Sequence, residues 1–152
     1  MAGSPVAAWS KGNELNKRLL DKLREITKVY EITDILWHQG EKDLSWGISL
    51  NQYRKSFSSM VLSLREIGVY APIYISVASY CKEDCRFNCG EYPNNITKAQ
   101  ISLANELSGV VLGVNTDELV TPNMRYDNCH FNEEGQRSAA REAARIITSY
   151  HQ

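Results

Sequence analysis

The sequence predicts an α/β fold, a three-layer α/β/α sandwich around a parallel sheet. Helical and strand-like patterns alternate along the chain, and the strand-like runs are almost continuously apolar, as in strands that a parallel sheet buries on both faces. The 152 residues show no repeat and no low-complexity linker, and this length suits one domain with one core. We therefore expect residues 1–152 to form a single domain.

The first half of the chain predicts two helices and one strand. Leucine and isoleucine recur every three or four residues over 13–29, which is the period of a helix. Residues 31–37 follow as a short strand rich in β-forming residues. A second helical pattern covers 50–68 and stops at Gly68, because glycine commonly ends helices.

The second half continues the alternation with two strands and two helices. Residues 71–79 and 110–119 are predicted as buried strands, and a helix over 95–109 lies between them. The last helix is predicted over 133–150, where alanines favour close packing on a sheet. The order α-β-α-β-α-β-α implies right-handed crossovers and parallel strands.

Three strands make a thin sheet for this architecture. The chain also begins in a loop-like segment, residues 2–9, instead of a strand. We therefore expect the first strand of the fold to be missing in front, so that these residues are the C-terminal portion of a larger domain. A partner chain that completes the sheet is the alternative, because an unpaired strand edge invites association.

The composition argues against two classes of partner. The net charge of −1 gives no electrostatic reason to expect nucleic acid or an anionic membrane. No apolar run approaches the roughly 20 residues of a membrane span. The first residues also lack the basic and apolar regions of a secretory signal. We expect a protein that binds neither nucleic acid nor a membrane.

The cysteines indicate disulfide bonds. Cys81, Cys85, Cys89 and Cys129 are an even number, and their spacing differs from the two-residue intervals common in zinc sites. We predict disulfides of open connectivity and no metal ion. Disulfides favour an extracellular or secretory location, although the chain carries no visible targeting signal.

Polar segments follow each predicted strand, at the end of the sheet where α/β folds place their sites. They are "WHQGEKD" (37–43), "SYCKEDCRFNC" (79–89) and "YDNCHFNEEGQ" (126–136). In the last segment Asp127 stands three residues before His130, so its carboxylate can orient the imidazole and stabilise the imidazolium. The alternative is that Asp127 caps a turn beside an ordinary histidine.

Three segments in this order, "GSPVAAW" (3–9), "WHQGEKD" and "DNCHFNEEGQ", together resemble the SGNH hydrolases. The closest resemblance is to carbohydrate esterases of the sialate O-acetylesterase and acetylxylan esterase type, whose later blocks have the forms W-x-Q-G-E-x-D and D-x-x-H. It implies an O-acetylesterase without a cofactor. Asp127 and His130 would belong to its catalytic triad, and the Gly3 N–H and the Gln39 side-chain amide would stabilise the oxyanion.

The Gln39-Gly40 pair at the end of the first predicted strand suits the stabilisation of an oxyanion. Gly40 lets backbone and substrate approach closely, and one oxyanion donor is worth about 3–4 kcal/mol in the transition state. Glu41 and Asp43 are expected to support this loop and not to react. The alternative is a glycine turn with polar flanks.

The nucleophile is the point at which the sequence departs from the family. The Gly-x-Ser block and its strand have no counterpart here, and Ser4 would be a neighbour of the oxyanion glycine and the weaker candidate for the attacking group. We expect part of a serine esterase that removes acetyl groups from carbohydrates, with its serine upstream or on a partner chain. An inactive relative that binds a glycan or an acylated ligand is the alternative, and a plain interaction domain is the third.

Overall fold

The computed structural model describes residues 3–82 and 92–152, and within them three parallel strands and six α-helices form three layers. The order of elements is the predicted alternation, with two further short helices. The elements are α1 (Glu14–Ile26), β1 (Ile35–Trp37), α2 (Glu41–Ser45), α3 (Leu50–Glu66), β2 (Ile73–Val77), α4 (Asn95–Glu106), β3 (Val110–Asn115), α5 (Thr116–Leu119) and α6 (Glu133–Tyr150). Short 3-10 helices cover Val6–Trp9 and Pro122–Met124.

The sheet has the order β1-β2-β3, with β2 in the centre and both pairs parallel. Ile73 of β2 lies opposite Ile35 on one side and Val110 on the other. The loops that follow Trp37, Val77 and Asn115 therefore meet at one end, here called the carboxyl end of the sheet. The loops that precede Ile35, Ile73 and Val110 meet at the opposite amino end.

The main core lies between the sheet and helices α1, α3 and α4. Tyr53, Phe57, Met60 and Leu64 recur at helical spacing along α3 and are each at most 2% exposed, which confirms the predicted apolar face. Helix α6 covers the other face of the sheet and contacts β3. The sandwich follows because each face of the sheet must bury its apolar side chains.

All three predicted strands are shorter than their apolar patterns suggest, and β2 covers Ile73–Val77 instead of 71–79. Strand β1 begins at Ile35 and not at residue 31, because Ile35 N–H donates to the carbonyl of Pro72, and Pro72 has no N–H with which to extend the ladder. Strand β3 ends at Asn115, whose side chain accepts the N–H of Glu118 and starts helix α5. The prediction of strand up to residue 119 was therefore wrong.

Both edge strands of the sheet expose a leucine side chain. Leu36 of β1 is 61% exposed and Leu112 of β3 is 45% exposed, so β3 is not the buried strand that the sequence predicted. Among the described residues no further strand pairs with the outer edge of β1.

No helix in this described part of the chain is both long and apolar enough to span a bilayer.

Candidate active site

The Asp127-x-x-His130 segment is a tight turn at the carboxyl end of the sheet. Arg125 and Phe131 form an antiparallel bridge, and the Tyr126 N–H donates to the carbonyl of His130 at 3.1 Å. Asn128 takes the left-handed conformation (φ 60°) that the reversal requires, and asparagine tolerates it better than most residues. The turn therefore holds Asp127 and His130 on the same side.

Asp127 and His130 form a close pair. The Nδ1 of His130 lies 2.6 Å from Asp127 Oδ2, while Asp127 Oδ1 accepts the N–H groups of His130 at 2.7 Å and Cys129 at 3.0 Å. Desolvation alone would raise the pKa of Asp127, but these hydrogen bonds outweigh it and hold that pKa below its ordinary value. An ionised Asp127 can accept a proton from Nδ1, and in that tautomer Nε2 is the unprotonated nitrogen of His130.

A cleft of about 720 Å³ opens beside this pair. It brings together residues that the sequence predicted to cooperate, from the N-terminal segment, the loop after β1 and the Asp127–His130 turn. Its lining includes Gly3, Ser4, His38, Gln39, Glu41, Lys42, Ser45, Cys81, Tyr126, Cys129, His130, Phe131 and Gln136.

Gln39 is held firmly, and its side-chain amide is already engaged. Its Nε2 donates to the carbonyl of Ser4 at 3.1 Å and to the carboxylate of Asp43. Its backbone carbonyl accepts from the hydroxyl of Tyr53 at 3.1 Å and from Nε2 of Gln100 at 2.8 Å. An oxyanion would therefore have to share or displace one of the two partners of the Gln39 amide.

Asp43 connects the N-terminal segment to the loop after β1. It is fully buried, and its carboxylate accepts the Val6 N–H at 2.9 Å as well as the Gln39 amide. Burial raises the pKa of Asp43, and the hydrogen bonds from Gln39 and Val6 oppose this rise. Glu41 accepts the Gly40 N–H at 3.0 Å. The contacts of both carboxylates lie within the scaffold of the cleft.

Gly40 is required by close packing. A Cβ at this position would lie 1.9 Å from the carbonyl oxygen of Ala78 and 2.6 Å from Nε2 of Gln100. The backbone at Gly40 thus approaches the end of β2 more closely than any side chain permits. Gly3 lies on the cleft with φ 74° and has open space where a side chain would be.

Ser4 and His130 line the same cleft, and the hydroxyl of Ser4 takes part in a hydrogen bond with Trp9. Its Oγ accepts the indole N–H of Trp9 at 3.0 Å. The role of Ser4 as a nucleophile stays a prediction.

A disulfide ties the turn to the loop after β2. Cys81 and Cys129 are bonded across 48 residues of sequence, and the Lys82 N–H donates to the Asn128 carbonyl beside them at 3.2 Å. Cys129 lies between the two residues of the Asp–His pair. The predicted Cys85 and Cys89 lie outside the described residues.

Three residues that build this site escaped the sequence analysis. Asp117 accepts the N–H groups of Ser79 and Tyr80 at 2.9 and 3.0 Å. Gln100 is fully buried and bonds Gln39, and Arg125 is 7% exposed beneath the Asp127–His130 turn. The role of Gln100 could have been inferred from the sequence, since it is a polar residue on the apolar face of α4. No sequence pattern indicates a role for Asp117 or Arg125 in the site.

Within residues 3–82 and 92–152, no three His, Cys, Asp or Glu side chains are close enough together to hold a metal ion.

Comparison with known proteins gives consistent findings. The family described as "SASA: Carbohydrate esterase, sialic acid-specific acetylesterase" matches residues 1–149. The probable carbohydrate esterase At4g34215 of Arabidopsis thaliana is 27% identical over 138 residues, which are 88% of this chain and 47% of that protein. The X-ray structure of the same Arabidopsis protein superposes with a TM-score of 0.77 at 24% identity and covers 97% of this chain and 56% of that one. The chain thus spans about half the length of the curated relative that it matches.

Proposed function

The chain belongs to the sialic acid-specific acetylesterase family of carbohydrate esterases, and from this premise we propose that it forms the acid–base part of a serine esterase that removes O-acetyl groups from sugars. One observation carries the proposal. Asp127 holds Nδ1 of His130 at 2.6 Å on the wall of a cleft that also contains Gly3 and Gln39. This is the orienting half of a catalytic triad beside two candidate oxyanion donors.

The proposed reaction is two-step acyl transfer. Nε2 of His130 takes the proton of a serine hydroxyl as the serine oxygen attacks the acetyl carbon. The Gly3 N–H and the Gln39 amide stabilise the negative oxygen of the tetrahedral intermediate. His130 gives the proton to the sugar oxygen as its bond to the acetyl carbon breaks, so the sugar leaves as a free hydroxyl, and a water molecule then releases acetate from the serine by the same path. This chemistry requires no metal and no organic cofactor.

The attacking serine comes, in this proposal, from a segment outside these residues that adds a strand to the outer edge of β1. Two observations support it. Leu36 on β1 is 61% exposed, and the Arabidopsis relative is about twice as long as the matched region. Ser4 is the weaker candidate, because the resemblance makes it the neighbour of the oxyanion glycine Gly3 and not the attacking group.

The substrate proposed for the cleft is an O-acetylated sialic acid, after the description of the family. Two residues that line the cleft suit such a ligand. The ring of Tyr126 is 68% exposed and stacks on His130 with 15° between the planes, so it offers a flat apolar face to a sugar. Lys42 also lines the cleft, and its positive charge can attract the carboxylate of a sialic acid.

A binding module without catalysis is the second candidate. The observation in its favour is that both N–H groups of the Gln39 amide are engaged, by Ser4 and by Asp43. A cleft whose oxyanion donor is occupied would bind an acylated sugar without stabilising the transition state. Hydrolysis then requires Gln39 to exchange one of these partners for the oxyanion.

Fluorophosphonate labelling separates the candidates. The purified chain and its His130→Ala and Ser4→Ala variants are incubated with the probe, and the intact mass and the labelled peptide are read by mass spectrometry. We expect the chain alone to remain unlabelled, and a preparation that also contains the serine-bearing segment to be labelled on that segment, dependent on His130. Ser4 labelling that disappears in His130→Ala would contradict the external serine and identify a complete hydrolase.

Binding completes the test. Calorimetric titration of the isolated chain with an O-acetylated sialic acid and with its deacetylated form reports whether the cleft recognises the acetyl group. Selective binding together with no labelling in any preparation would favour the binding module. No binding and no labelling would overturn both candidates.

A further inference from the structure

Arg125 is a buried cation that the proposed reaction does not use. It is 7% exposed and lies directly beneath the Asp127–His130 turn, at the start of the antiparallel bridge to Phe131. Among the described residues, Arg125 forms no ion pair with a carboxylate. Burying a charged group costs free energy of folding unless the group is well hydrogen-bonded. The hydrogen bonds of this guanidinium therefore indicate what the Arg125 side chain does at this position.

The guanidinium binds backbone carbonyls from three parts of the carboxyl end. Nη1 donates to the carbonyl of Cys129 and, at 3.3 Å, to that of Tyr80. Longer contacts reach Val120 from Nε at 3.4 Å and Thr116 from Nη2 at 3.5 Å. The loop after β2, helix α5 and the Asp127–His130 turn are thereby joined through one side chain.

Two aromatic rings enclose the same group. The guanidinium carbon lies 4.6 Å from the ring centre of Tyr80 and 4.8 Å from that of Phe131. Such stacking favours a flat, delocalised cation, and the forked donors of arginine can serve several carbonyls at once. A lysine ammonium is a point donor on a flexible stem, so it would reproduce only part of this arrangement.

Cys129 is the residue through which Arg125 acts on the pair. Its carbonyl accepts from Arg125, its N–H donates to Asp127, and its sulfur is bonded to Cys81. The peptide that joins Cys129 to His130 is therefore fixed on both sides. Its N–H, which belongs to His130, points at Asp127 at 2.7 Å.

We propose that Arg125 is a positioning residue for the Asp127–His130 pair. By holding the Cys129 carbonyl, it sets the orientation of the peptide that presents the His130 N–H to Asp127, and so keeps the second carboxylate oxygen on Nδ1 of His130. The catalytic consequence rests on the proposed esterase function. The geometric consequence does not, because it concerns only which nitrogen of His130 carries the proton.

The chain contains a matched control. Arg65 donates to three backbone carbonyls, those of Val69 at 2.8 Å, Ala71 at 2.9 Å and Gly109 at 3.2 Å, whereas Arg125 donates to four. These carbonyls lie at the amino end of the sheet, away from the cleft. Desolvation lowers the pKa of both arginines, so both guanidinium groups are partly buried. Substituting Arg65 therefore removes a comparable set of hydrogen bonds and leaves the contacts of the Asp127–His130 turn unchanged.

The test is the tautomer of His130 in the chain uniformly labelled with ¹⁵N, observed by long-range ¹H–¹⁵N correlation at a pH at which the imidazole is neutral. In the unmodified chain we expect the proton on Nδ1, facing Asp127. Arg125→Met removes every donor and should shift the proton largely to Nε2, with Arg125→Lys between the two. Arg65→Met should leave the His130 spectrum unchanged. The amide spectrum of each variant shows whether it is folded.

If Arg125→Met does not fold, Arg125→Lys compared with Arg65→Lys carries the test. A folded Arg125 variant with the tautomer of the unmodified chain overturns the proposal, as does an equal shift in the Arg65 variant. The tautomer measurement uses no substrate and no fluorophosphonate probe, so its result does not depend on whether the chain takes part in catalysis. The absence of labelling in every preparation, including the one with the serine-bearing segment, together with loss of the Nδ1 proton in Arg125→Met, would refute the esterase and retain the positioning residue.

Discussion

The two ends of the sheet carry nearly the same set of side chains. At the amino end, Nε2 of His151 lies 2.8 Å from Asp34 and Arg65 binds backbone carbonyls. At the carboxyl end, Nδ1 of His130 lies 2.6 Å from Asp127 and Arg125 binds backbone carbonyls. Each end thus has one Asp–His pair and one arginine clamp.

The surroundings of the two pairs differ in what a ligand would meet. His130 shares its cleft with Gly3 and Gln39, which the resemblance assigns to an oxyanion, whereas His151 joins the end of α6 to the residue before β1. An Asp–His hydrogen bond therefore does not define an active site by itself. The assignment of the carboxyl end depends on the groups that converge on the pair.

The largest expected difference is in catalysis. His130→Ala removes the proposed base and should lower acetate release from an O-acetylated sialic acid by about 10²–10⁴-fold. His151→Ala should leave the rate unchanged, because its pair with Asp34 only joins two surface elements. The rates are measured with the serine-bearing segment present. An equal loss in both variants would mean that the difference reflects folding and not chemistry.

A smaller difference is expected in stability. Gly40 lies at the carboxyl end and Gly68 at the amino end, and only Gly40 has backbone within reach of an added Cβ. Gly40→Ala should cost about 3 kcal/mol or more in the free energy of unfolding, because a backbone carbonyl must move. Gly68→Ala has open space but keeps φ at 84°, so we expect a cost of about 1–2 kcal/mol.

Urea denaturation measures both values in the same buffer. Gly12→Ala provides a second reference, since Gly12 also combines a positive φ with open space. A Gly40→Ala variant as stable as these two would show that the loop after β1 can move away from Ala78. The closely packed geometry proposed for the Gln39 donor would then be wrong.

The sequence was most informative where the interacting residues are close along the chain. Asp127 and His130 are three residues apart, so their pairing could be predicted from the motif and from the resemblance. Helix α3 was equally accessible, since its buried face depends on spacing within one element. The pair of Asp34 and His151 spans 117 positions, and only the assembled sheet brings the two residues together.

Contacts between elements account for most of what could not be predicted. Arg125 binds carbonyls of Tyr80 and Thr116, and nothing near Arg125 in the sequence indicates that these atoms converge. The end of β3 was missed for a related reason, because the apolar run continues past Asn115 while the Asn115 side chain starts a helix. A hydrophobic pattern records burial and carries little information about capping.

The smallest expected difference concerns the two aspartates. The pKa of each is lowered from its ordinary value of 3.8, so each contributes stability that is present above that value and is lost as the pH falls through the folded-state pKa. For Asp34 the hydrogen bond from His151 is the largest cause of its lowered pKa. Asp127 also accepts two backbone N–H groups, which survive the loss of a ring. Carboxyl ¹³C titration should therefore show a larger rise in the Asp34 pKa in His151→Ala than in the Asp127 pKa in His130→Ala. The opposite order would mean that the ring, and not the turn that Arg125 holds, fixes the charge of Asp127.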